Sequence, residues 1–64
     1  MTEKEARQLL PLTIVMWDNN PDDLGTVRSI EYWGVRWGVT IDWENGRSRW
    51  IAFQDQDMEK ISLR

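Results

Sequence analysis

Apolar and polar residues alternate most cleanly over residues 37–43, where Trp37, Val39, Ile41 and Trp43 share one face and Gly38, Thr40 and Asp42 the other. A period of two predicts a half-buried β-strand. Glu44-Asn45-Gly46 follows, and Asn-Gly between apolar runs is a hairpin signal because both residues tolerate positive φ. Residues 47–53 then read as the returning strand. Upstream, the β-branched run over 12–18 predicts a first strand, and Asn19-Asn20-Pro21-Asp22-Asp23 a polar loop after it. Residues 25–32 predict a second strand in which Val27 and Ile30 are three apart, so a β-bulge near Arg28-Ser29 is needed to return both to one face. Thr2-Glu3-Lys4-Glu5 has the form of a capping box, and Ala6, Leu9 and Leu10 continue a short helix up to Pro11. So few apolar positions predict a helix laid across one opening or edge of the strands. Residues 54–59 suit one helical or 3₁₀ turn, and 60–64 a short closing strand. The pattern predicts one small all-β domain, with the N-terminal helix in residues 1–11 and the strands in 12–64.

Five tryptophans in 64 residues, Trp17, Trp33, Trp37, Trp43 and Trp50, lie in or beside those strands. Each indole can bury roughly 200 Å² and needs a partner for its N–H when buried, so five do not fit easily into a core of this size. The alternation places Trp37 in the core row with Val39 and Ile41, and Trp43 at the end of that row, reaching the rim. Trp17, Tyr32, Trp33 and Trp50 are expected to form a partly exposed aromatic patch edged by Arg36 and Asp18. Such residue types are enriched where proteins bind a protein or peptide partner, and the same patch would serve self-association into a homo-oligomer. The competing reading is that each ring caps the sheet or packs under the helix.

The order of elements, carried by Gly25-Thr26-Val27-x-x-Ile30, Val39-x-Ile41-x-Trp43-Glu44-Asn45-Gly46 and Asp57-Met58-Glu59-Lys60-Ile61, resembles the Src-homology-3-like small barrels, including Tudor, KOW and related bacterial domains. The resemblance spans residues 12–64 and implies a five-stranded barrel in which the first and last strands pair. It specifies architecture rather than function, because such barrels host many activities. By similarity to Tudor-like domains, Trp17 stands where the first aromatic of a methyl-ammonium cage would, Tyr32 or Trp33 where the second would, Trp43 where the third would and Asn45 where the amide would. The hairpin here is shorter than in methyl-arginine readers and lacks their second aromatic.

Charge and composition narrow the remaining classes. The formal net charge is −3, which disfavours tight sequence-independent binding of nucleic acid. A nucleic-acid surface would require Arg28, Arg36, Arg47 and Arg49 to converge beside stacking rings. A third reading, a phage or mobile-element protein inhibiting a host enzyme, would need Asp22, Asp23, Asp55 and Asp57 to imitate phosphates along one edge. Asp18-x-Asn20-x-Asp22 imitates the start of a calcium loop, but Asp23 stands where the turn glycine belongs and Ser29 where a bidentate Glu belongs. Turn chemistry by Asx side chains accounts for that run, and no metal or cofactor is expected. With no His, no Cys and no glycine-rich phosphate loop, an enzyme is not expected, and Asp42 and Glu44 read as solvated carboxylates. No stretch is long and apolar enough to span a bilayer and none has the form of a signal peptide. A complete, cytoplasmic chain without membrane contact is the expectation.

Overall fold

A computed structural model describes residues 1–64. Its elements are α1 (Glu3–Ala6), β1 (Ile14–Trp17), β2 (Asn20–Trp33), β3 (Arg36–Trp43), β4 (Ser48–Ala52), a 3₁₀ turn (Gln56–Lys60) and β5 (Ile61–Leu63). The strands form one antiparallel sheet in the order β4-β3-β2-β1-β5. Pairing of the first and last strands is present, Val15 opposite Leu63 and Trp17 opposite Ile61. The ladder does not close, because β4 and β5 meet through the 3₁₀ turn rather than through hydrogen-bonded strands, and each remains an edge.

The helix is capped as its sequence requires. Thr2 accepts from the Glu5 backbone N–H, Glu5 accepts from that of Thr2, and the second bond holds the Glu5 carboxyl below its ordinary value of 4.5. The helix ends at Ala6, short of the expected reach to Leu10. Pro11 then sets a turn in which the Thr13 N–H and hydroxyl both bond the Leu10 carbonyl, at 3.2 and 2.7 Å. Leu12 occupies that turn at φ +75°, a left-handed conformation that costs a branched side chain about 1 kcal/mol.

Three hairpins carry three different turn chemistries. Asp18 and Asn19 both take positive φ, 53° and 56°, between the paired residues Trp17 and Asn20, the pattern of a two-residue I′ turn. The expected long polar loop is therefore a tight turn followed by a bulge. Met16 opposes Leu24 while Trp17 opposes Asn20, so Pro21, Asp22 and Asp23 are the residues left over. The Asn20 side chain folds the bulge by accepting from the Asp22 N–H at 2.9 Å. Gly34, at φ +65°, opens the turn between Trp33 and Arg36, as a II′ turn demands. Glu44-Asn45-Gly46 does turn the chain, but only Gly46 is left-handed, at φ +88°. Trp43 and Arg47 close a three-residue loop, and Asn45 instead accepts from the Arg47 N–H at 2.9 Å.

The bulge expected near Arg28-Ser29 is present. Val27 opposes Ile41 and Ser29 opposes Thr40, so Arg28 is the extra residue and Ile30 returns to the core face opposite Val39. The core is Ala6, Leu9, Val15, Val27, Val39, Ile41, Ile51, Phe53, Met58 and Ile61. No tryptophan is among the buried residues. Trp17 and Trp43 pack against the core from its margin, and Trp37, expected in the core row, is 49 % exposed. It lies on the core face, but beyond the point where other elements cover that face. No helix is long and apolar enough to cross a membrane.

Candidate functional site

Five of the seven aromatics separate into groups at opposite ends of the β2–β3 ladder, Phe53 being buried in the core. At one end Gly25 pairs with Trp43; at the other Trp33 pairs with Arg36. Eight residues of β2 separate Gly25 from Trp33, or about 26 Å of extended strand.

At the first end, β1 delivers Trp17 just before the I′ turn and β3 delivers Trp43 just before the Gly46 turn. Gly25 makes room for Trp43: a Cβ there would lie 2.6 Å from both the Trp43 ring and Ile41 Cγ2. The two indoles meet edge to face, with centroids 6.0 Å apart and planes at 89°, a geometry aromatic quadrupoles favour. Beside them opens a cleft of about 410 Å³ walled by Asp23, Asn45, Arg47, Ser48 and Arg49. The Arg49 guanidinium carbon stands 5.9 Å from the Trp17 ring centre while its Nη2 bonds Asp57 Oδ2 at 2.6 Å. Lys60 Nζ lies 6.0 Å from the same ring. Arg47 and Asp23 have no ion-pair partner.

Trp50 joins neither end. Its ring covers Gly38, where a Cβ would lie 2.6 Å from the indole, and its Nε1 donates to the Glu31 carbonyl at 3.2 Å. Beside it, the Thr40 and Ser29 hydroxyls donate to the Glu31 carboxylate and hold it below its ordinary value of 4.5, against partial burial, which raises it. Further along that face Arg28 bonds Asp42 through Nε at 2.9 Å, and Ser48 donates to Asp42 Oδ1 at 2.6 Å. Arg28, and then Ser48, hold the Asp42 carboxyl below its ordinary 3.8, and Asp42 raises Arg28 in turn. Of the two carboxylates expected to be solvated, Asp42 is thus paired with Arg28, while Glu44 sits exposed in the hairpin turn.

The expected patch of Trp17, Tyr32, Trp33 and Trp50 is therefore not one surface. Asp18 lies in the I′ turn beside Trp17, while Arg36 lies at the far end with Tyr32 and Trp33. Of the positions aligned with a methyl-ammonium cage, Trp17, Trp43 and Asn45 come together; Tyr32 and Trp33 do not. The four arginines also fail to converge. Arg47 and Arg49 share the cleft, Arg28 is committed to Asp42 and Arg36 belongs to the other end. Nor are the four aspartates a row of free charge: Asp55 caps the 3₁₀ turn and Asp57 is paired with Arg49. Sequence reasoning missed Ser48 at the cleft and offered Asp23 only as part of an acidic row, because the bulge and the strand pairing that bring them there are non-local.

At the far end, Tyr32 and Trp37 pair with ring centres 5.4 Å apart. Trp33 and Val35 complete the tip. Their signal was readable as Trp33-Gly34-Val35-Arg36, with glycine at the first central position of a two-residue turn. No family model matches the chain, and no curated protein or solved structure is significantly similar to it.

Proposed function

We propose that the protein is a small, non-enzymatic interaction module of the Src-homology-3-like barrel type, which binds a peptide or protein partner in the cleft beside Trp17 and Trp43. The observation that carries this reading is the pair of edge-to-face indoles opening onto a space of about 410 Å³ beside an unpaired arginine, Arg47. Half-buried aromatics offer an apolar side chain a large contact area, and Arg47 offers a carboxylate a charged hydrogen-bond donor. A methylated ammonium group fits less well. Arg49 and Lys60 already lie about 6 Å from the Trp17 ring, where they oppose a third cation, and Tyr32 and Trp33 do not supply a further wall. Nucleic acid is also less well served, because only Arg47 and the Asp57-paired Arg49 face the cleft. The favoured ligand is an extended peptide with an apolar or aromatic residue next to an acidic one.

A peptide-display selection against the full chain, read by the tryptophan indole N–H resonances, tests this. Selected acidic-aromatic peptides should shift the Trp17 and Trp43 signals and lose affinity about tenfold with Arg47→Glu, whose exposed side chain is not part of the core. Shifts confined to Trp33 and Trp37, or peptides indifferent to Arg47→Glu, would overturn the assignment of the cleft.

A further inference from the structure

The β2–β3 tip carries apolar surface that the cleft does not use. Residues 32–37 are six consecutive exposed positions, with Tyr32 at 53 %, Trp33 at 60 %, Val35 at 84 % and Trp37 at 49 % exposure. The II′ turn puts Val35 at the apex, and Tyr32 and Trp37 stand behind it as a pair. We propose that this tip docks into the headgroup region of an anionic lipid bilayer.

Area argues against a folded partner or a second copy of this chain as the occupant. A whole aromatic side chain buries 150–250 Å², so three half-exposed rings with Val35 offer roughly 350 Å². Each side of a standard protein interface draws on about 20–30 residues and about 800 Å² of polar and apolar surface together, whereas the tip is a single turn of six residues. A bilayer has no such minimum footprint and encloses a convex tip from every side. The residue types agree: Trp and Tyr settle at membrane–water interfaces, with the ring among apolar chains and the polar atom in contact with headgroups. Charge agrees as well. The tip holds Arg36, which has no ion pair, and every acidic residue of the chain lies outside it. Glu31, the carboxylate next to it in sequence, keeps its charge but is held back from the turn by the hydroxyls of Ser29 and Thr40, both farther from the apex. An acidic body with a cationic, aromatic tip is turned tip-first by a negative surface. The expectation of no membrane contact rests on the lack of a spanning segment, which bears on crossing a bilayer and not on resting in its surface.

Sedimentation with phosphatidylcholine vesicles, with and without added phosphatidylglycerol, tests the proposal on the full chain, with light scattering on the lipid-free protein. The wild type should sediment with the anionic vesicles. Val35→Asp should lose that binding by more than about tenfold, since it forces a carboxylate into the interface. Arg36→Glu should lower affinity for anionic vesicles about fivefold and remove the preference over neutral ones. Both positions are exposed and outside the core, so their melting curves should match the wild type. The proposal fails if the wild type ignores both kinds of vesicle or if Val35→Asp binds them equally well. It fails too if the lipid-free chain forms a dimer that Val35→Asp abolishes, which would make a second copy the occupant.

Discussion

The two ends of the β2–β3 ladder carry the same kind of residue and give it opposite surroundings. At the Gly25 end, β1 and β4 run alongside, and Trp43 lies over a glycine, against Trp17 and at the margin of the core. At the Gly34 end, β1 pairing has stopped at Thr26 and β4 pairing at Gly38. The hairpin overhangs, and Tyr32 and Trp37 have little but each other. Alternation assigns a side chain to a face; only the length of the neighbouring strands decides whether that face is covered. Burial of an aromatic is in this sense a property of the strand next door.

If that contrast is correct, truncation should separate the ends sharply. Trp43→Ala should cost about 3 kcal/mol, toward the lower bound for a large aromatic because Trp43 is only half-buried. Trp33→Ala at the tip should stay within about 0.5 kcal/mol of the wild type. Urea melts of the two variants give both numbers, and equal losses would mean that the tip is packed after all. The turns should separate much less. Gly46→Val and Gly34→Val both force a β-branched residue to positive φ, with nothing within 4 Å of the new Cβ. Each should cost about 1–2 kcal/mol whichever end it lies at. A much larger loss at Gly46 would show that the cleft depends on its turn for more than backbone conformation.

The smallest effect concerns acid. Glu5, Glu31 and Asp42 have folded-state values below their ordinary ones, so the unfolded chain binds their protons first as pH falls. Their contribution is complete above the ordinary carboxylate range, near 4.5 for Glu and 3.8 for Asp, and is lost progressively below it. Thr40→Val should flatten this acid limb by freeing the Glu31 carboxylate of its strongest donor, whereas variants at Tyr32 or Trp37 should leave it unchanged. Melting temperature followed downward from pH 6 separates the two.

Much of this was legible locally. The capping box, the Arg28 bulge and the Val39-Ile41 row each follow from a few adjacent residues and were read with the correct pairing consequences. Trp17, Trp43 and Asn45, expected near one another, line one cleft. Three things were not legible. Asp18-Asn19 as a tight turn was hidden inside a longer polar run, because Pro21, Asp22 and Asp23 belong to a bulge rather than to the turn. Trp37 and Trp50 were misplaced because their surroundings come from strands distant in sequence. The open edges at β4 and β5 depend on how far the sheet curls, which no local pattern encodes.

Gly25 and Gly38 each lie beneath an indole, Trp43 and Trp50, and at Gly38 a Cβ would also press on the Ile51 carbonyl oxygen. In mutational terms these are ordered pairs. A descendant of this chain can acquire a side chain at residue 25 only after the ring at residue 43 has shrunk and Ile41 has given way, since a Cβ there meets both at 2.6 Å. Residue 38 is more tightly held, because replacing Trp50 removes one obstacle and leaves the backbone oxygen in place. Among diverging copies, residue 25 should therefore change only together with residues 41 and 43, while residue 38 stays glycine whatever happens to residue 50.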